Sequence, residues 1–163
     1  MRRLALSVFL SIVIILLQTS VVKFLAIGGL VPDIALLWIV YLAIREGQLA
    51  ATAAGFLLGL ALDLLAGSGS MLGLAALGKT VAGFLAGYFY NENKILHTLG
   101  SYQYILIVTV VSLVHNLIYF IIFLQGSDTG VVQAIVRFGL PATAYTAAAA
   151  LIPMFAFARR SLS

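Results

Sequence analysis

The sequence predicts an all-α integral membrane protein of six transmembrane helices, and three observations carry that expectation. Leu4 to Val21 is a run of 18 uncharged residues directly behind Met1-Arg2-Arg3. A helix needs roughly 20 such residues to cross a hydrocarbon core of about 30 Å. Of 163 residues, 63% are hydrophobic and only 9% are charged, and the mean hydropathy is +1.17. A soluble domain of this size has too much surface to stay dissolved with so few charges. Apolar runs separated by short polar turns then repeat almost to the end of the chain. Six helices of about 20 residues use up the length and leave one transmembrane domain, 1–163, with no loop long enough to fold in water.

The first helix is expected over residues 4–22 and ends at Lys23. Its basic start resembles a secretory signal. The apolar run is longer than the roughly 7–15 residues of a signal's core, however, and no A-x-A-like cleavage site follows, so a retained helix is expected. Residues 24–31 are apolar but carry Gly28-Gly29, and belong in the outer interface or dip into it. Pro32 and Asp33 open the second helix, which runs to Ile44 and is closed by Arg45-Glu46-Gly47. Proline suits the first helical position, and an acid there meets the positive end of the helix dipole.

The third helix covers 49–66, and Gly67-Ser68-Gly69-Ser70 makes a tight turn. The fourth covers 71–90, followed by the polar Asn91-Glu92-Asn93-Lys94. The fifth covers 99–124, with Tyr102 and Tyr104 as an aromatic belt at its start. Residues 125–130 break it. Between Arg137 and Arg159 lie 21 uncharged residues, 138–158, which make the last crossing. Residues 131–136 are expected as an outer lead-in to it, with Arg137 as an interfacial anchor.

Charge sets the orientation. With both termini cytoplasmic, the inner side holds Arg2, Arg3, Arg45, Lys94, Arg159 and Arg160, and the outer side only Lys23 and Arg137. That is the positive-inside pattern. The net charge of +4 does not imply nucleic acid, because the basic residues sit at segment ends, where they meet anionic membrane lipid, instead of clustering on one face. There is no cysteine, which excludes disulfides and thiolate metal sites.

Some residues are more than membrane filler. Gly55, Gly59 and Asp63 lie four apart on one face of the third helix, and Lys79, Gly83 and Gly87 repeat that layout on the fourth. Small residues at this spacing let backbones approach closely in lipid, so the stripes zip the two helices together or contact a ligand. Leu58 is placed on a face that can meet lipid. Asp63 lies about one turn, and Lys79 about 12 Å, below the outer surface. An ion there costs several kcal/mol unless paired or wetted. An Asp63–Lys79 ion pair is expected, with a ligand or partner site as the alternative. His115, beside Asn116, bonds a neighbouring helix or acts as a ligand or proton carrier. Gly139, Thr143, Thr146 and Ala150 form another small-residue seam, and Pro141 and Pro153 permit kinks.

Enzyme chemistry is not expected. Gly59-x-x-x-Asp63 resembles part of the CDP-alcohol phosphatidyltransferase signature, but Gly67 stands where its second aspartate belongs. The Gly67–Ser70 turn has serines but no positioned histidine. Nothing has metal-ligand spacing, and no cofactor loop is present.

Pro32-Asp33 opening a short helix, then Gly55-Phe56-Leu57-Leu58-Gly59-Leu60-x-x-Asp63-Leu64-Leu65, Gly67 and Leu72-Gly73, resembles the bacterial rod shape-determining protein family MreD. The length and topology agree over the whole chain, and the motif occupies residues 32–87. The resemblance implies a non-catalytic scaffold of the elongation machinery in the bacterial inner membrane. It would bind MreC and help couple MreB filaments, indirectly, to peptidoglycan synthesis by RodA and a class B penicillin-binding protein. Pro32, Asp33, Gly55, Phe56, Gly59, Asp63, Gly67, Gly73, Lys79, Gly83 and Gly87 are then its helix-packing or partner-binding residues. The family is similar in architecture to the S-components of energy-coupling-factor vitamin transporters, so the fold implied is an S-component-like bundle. A substrate-binding S-component is the alternative function. Against it, the first helix has Ala5, Ser7 and Ser11 where S-components carry an alanine-xxx-alanine docking pattern.

Overall fold

The computed structural model describes residues 2–67, 71–125 and 130–161, and no strand occurs among them. Ser68–Ser70 of the expected tight turn and 126–129 of the expected break lie outside the described residues. Helix α1 (Arg2–Leu16) continues through a π turn (Leu17–Val21) and a 3-10 turn (Val22–Leu25). Then come α2 (Ile34–Glu46), α3 (Gln48–Ala66), α4 (Leu74–Gly87), the short α5 (Ile95–Leu99) and α6 (Tyr102–Phe123). The last stretch is α7 (Val131–Ala134), a π turn (Ile135–Gly139), α8 (Leu140–Ala149) and α9 (Leu151–Ser161).

Among the described residues, four stretches are long and apolar enough to cross a membrane: Ala5–Leu25, Gln48–Ala66, Tyr102–Phe123 and Val131–Arg159. The fourth of these corrects the expected lead-in. Residues 131–136 are the first turns of the final helix, joined to the rest through the π turn. Pro141 has no N–H to give to the turn before it, and close by the Gly139 carbonyl accepts from Thr143 Oγ1 and Asn116 Nδ2. The expected fifth helix starts later, at Tyr102, because Ser101 adopts an extended backbone and caps α6 by accepting from the Gln103 N–H.

Two of the six expected crossings are short. α2 has 13 residues and α4 has 14, about 20 Å each. α2 is buried nearly all round, at Ala35, Leu36, Leu37, Ile39, Val40, Leu42, Ala43 and Ile44. A helix that is apolar on every face belongs in the centre of a bundle. Gly47, at φ +92°, is the single residue between α2 and α3, and only glycine takes that backbone readily.

α3 and α4 pack backbone against backbone. A Cβ on Gly55 would lie 2.2 Å from the Lys79 carbonyl oxygen, one on Gly59 2.4 Å from that of Ala75, and one on Gly83 2.3 Å from that of Ala51. Gly87 meets Gln48 equally closely. α1 runs antiparallel to α2, since Ser11 bonds Trp38 and Gln18 bonds Ile34. Phe157 of α9 stacks on Tyr41, near the end of α2, so both chain termini leave the bundle at one end.

Leu58 departs from expectation. It is 2% exposed, whereas Leu57 is 64% exposed, so Leu57 is the lipid-facing neighbour of Gly59. Gly59→Leu should therefore lower stability in detergent by at least about 3 kcal/mol, since its side chain would have to displace helix backbone. Leu57→Ala should change it by less than about 1 kcal/mol. Thermal unfolding followed by size-exclusion chromatography checks both, and equal melting temperatures would contradict the close-packed hairpin.

Candidate functional site

Several polar side chains inside the bundle converge on the first turn of α2. Asp33 is its N-cap: Oδ1 accepts from the Leu36 N–H at 2.9 Å. Its other carboxylate oxygen, Oδ2, takes a charged hydrogen bond from Lys79 Nζ of α4. His115 of α6 places Nε2 3.7 Å from the same oxygen. The backbone N–H of Asp33 donates to Thr146 Oγ1 of α8 at 3.1 Å. Gln18, in the π turn after α1, accepts from the Ile34 and Ala35 N–H groups and donates to the Pro32 carbonyl. One helix end thus ties α1, α4, α6 and α8 to α2.

The local chemistry explains the convergence. The first turn of a helix leaves N–H groups without intrahelical partners, and apolar surroundings make each unmet group costly. Asp33 and Gln18 meet three of them. The π turn at Leu17–Val21 lets the chain turn Gln18 toward α2, a use of π geometry seen at functional positions generally. The Lys79 side chain is 4% exposed, so its charge depends on Asp33 for compensation. Gly78 makes room for the histidine: a Cβ there would sit 2.7 Å from His115 Nδ1. That nitrogen is buried without a hydrogen-bond partner among the described residues.

Asp63 does different work. It accepts from the N–H groups of Gly73, Ala75 and Ala76 at 3.0–3.1 Å, and so caps the start of α4 from the end of α3. Gly73 takes φ +94° to present its N–H. The expected Asp63–Lys79 pair is replaced by Asp33–Lys79, because Asp63 is occupied at the α4 terminus while Lys79, a turn further on, faces the head of α2.

Of the residues singled out from the sequence, Pro32, Asp33 and Lys79 meet at the hub. Gly55, Gly59, Gly83 and Gly87 line the α3–α4 contact, and Asp63 with Gly73 forms the cap. Phe56 is half exposed on α3, and a Cβ on Gly67 would meet nothing within 4 Å among the described residues; neither residue is part of the hub. Sequence reasoning missed Gln18, Gly78 and Thr146 as hub residues. Gln18 was visible as the one amide in the first apolar run; Gly78 and Thr146 carry no signal apart from their neighbours in space.

A family model described as rod shape-determining protein MreD matches residues 1–160. The match takes in nearly the whole chain, which therefore belongs to the MreD family. Searches of curated proteins and of solved structures found no match.

The hub geometry yields a double-mutant test. Asp33→Asn and Lys79→Met should each cost about 2–4 kcal/mol in detergent, because each leaves a buried charge uncompensated. The double variant should lose clearly less than the sum. The Asp63→Asn and Lys79→Met cycle should show the smaller coupling of the two. Melting temperatures of the five variants decide it, and equal couplings would remove Asp33 from its place as the partner of Lys79.

Proposed function

We propose that this member of the MreD family is a non-catalytic scaffold of the cell-elongation machinery in the bacterial inner membrane. It binds MreC and helps couple MreB filaments to peptidoglycan synthesis by RodA and a class B penicillin-binding protein. The observation that carries the reading is the family match over residues 1–160. The fold agrees with it in physical terms: the carboxylates Asp33 and Asp63 and the ammonium of Lys79 hold helices to one another.

In this reading the chain crosses the membrane six times with both termini cytoplasmic. α2 and α4 make the two short crossings, each lengthened by apolar loop at its outer end. Support comes from the basic residues, six of which fall at the cytoplasmic ends and two at the outer ends, as the positive-inside rule requires. Emergence of both termini at one end of the bundle is compatible with an even number of crossings.

Two experiments test this. In spheroplasts, a cysteine at Ser127 should react with an impermeant maleimide, and one at Ser163 only after permeabilisation; reaction of both from outside would contradict six crossings. The tagged chain purified from its native membrane should carry MreC with it. Recovery of an ATPase and its coupling subunit instead would favour the transporter alternative.

A further inference from the structure

His115 is placed where one more proton would unbalance the hub. It is one of two histidines in the chain, and histidine is the side chain that ordinarily changes charge between about pH 5 and 8. It is 8% exposed. Its Nε2 lies 3.7 Å from Asp33 Oδ2, the oxygen that already takes the Lys79 ammonium. One carboxylate thus faces two basic side chains. With His115 neutral, the charges of Asp33 and Lys79 cancel. With His115 protonated, two positive charges share one negative charge.

The elements packed against α6 bring no further negative charge to the imidazole. α2 and α4 supply Asp33 and Lys79. α7 has no ionisable side chain, and α8 has only Tyr145. Arg137, in the π turn between them, is exposed and would add positive charge. Arg45 and Glu46 close α2, and His97 and the arginines of α5 and α9 lie toward that same far end, about 18 Å away along the helices. Tyr119, one turn on along α6, is uncharged. Asp63 is held at the start of α4 by three N–H groups. A proton on His115 Nδ1 would also lack an acceptor, since that nitrogen has no hydrogen-bond partner among the described residues. An extra charge in apolar surroundings is costly without a partner.

We propose that His115 makes the hub an acid-sensitive latch. Neutral, it leaves the Asp33–Lys79 pair balanced and α4 and α6 tied to the head of α2. Protonated, it adds an uncompensated cation that loosens those ties. The sign follows from proton counting: the disrupted hub accepts a proton that the intact hub excludes, so stability is full above the ordinary histidine range, near about pH 6.5, and falls below it. The latch depends on the hub geometry and stands or falls apart from the shape-determination reading.

Melting of the full chain in detergent from about pH 7.5 to about pH 5.5 tests this, in a window above the ordinary titration of carboxylates. The unaltered chain should lose about 3–5 °C across it. His97→Gln should lose as much, and His115→Gln less than about 1 °C. Lys79→Met should change the sign. Without the ammonium, a protonated His115 becomes the counter-charge of Asp33, so this variant should gain stability over the same window. Lys79→Met combined with His115→Gln should neither gain nor lose. A flat profile for the unaltered chain, a fall that survives His115→Gln, or a fall in Lys79→Met overturns the proposal. A gain that persists in the double variant overturns it as well, because the proton would then sit on Asp33.

Discussion

The bundle depends on the head of α2. A carboxylate, an ammonium, an imidazole, an amide and a hydroxyl from five segments meet there, where water is scarce. A buried ion pair is a weak source of net stability, because desolvating both charges offsets most of their attraction. Breaking one is expensive for the same reason. The hub therefore acts less by adding stability than by penalising every arrangement in which α4, α6 or α8 has slipped relative to α2. Hydrocarbon contacts cannot do this in a membrane, where a leucine loses little by exchanging a neighbouring helix for lipid.

Both short helices begin in the same way, on a carboxylate supplied at or before their first turn. Asp33 caps α2 from its own N-cap position, and Asp63 caps α4 from the preceding helix. A helix that starts inside an apolar bundle has N–H groups that its surroundings do not satisfy. Each aspartate is the local solution to that problem. The partial positive charge of the helix terminus also stabilises the ionised acid. Lys79 then balances Asp33, whose second oxygen is left over after capping.

The sequence reveals the helices by their hydropathy, and the α3–α4 contact by its glycine spacing, because both are periodic signals within one segment. It shows the ends of α4 poorly: three residues at each end read as apolar helix but form turns, since capping by Asp63 sets the true start. The partner of Lys79 was hidden for a related reason. Asp33 reads naturally as a helix-start acid, and Asp63 lies on the next helix of an evident hairpin, so proximity along the chain favours the wrong carboxylate. Depth is the missing quantity. The apolar residues 24–31 carry the chain back toward the bundle before α2 begins, and so lower Asp33 to the level of Lys79.

The same logic explains why α1 is attached where it is and open elsewhere. α3 and α4 meet through glycine backbones, and the last helix is tied to α6 by Asn116, Thr143 and the Gly139 carbonyl. α1 has no glycine stripe, and Leu6, Phe9, Ile12 and Leu16 are all exposed. It is held by two polar clamps, Ser11 to Trp38 and Gln18 to the head of α2. Across from it, α8–α9 reaches back at the end where α2 begins, where Tyr145 bonds the Leu25 carbonyl. Association in a membrane follows close backbones and hydrogen bonds. Where both are lacking, between α1 and α8–α9, the helices stand apart around an apolar groove along α2.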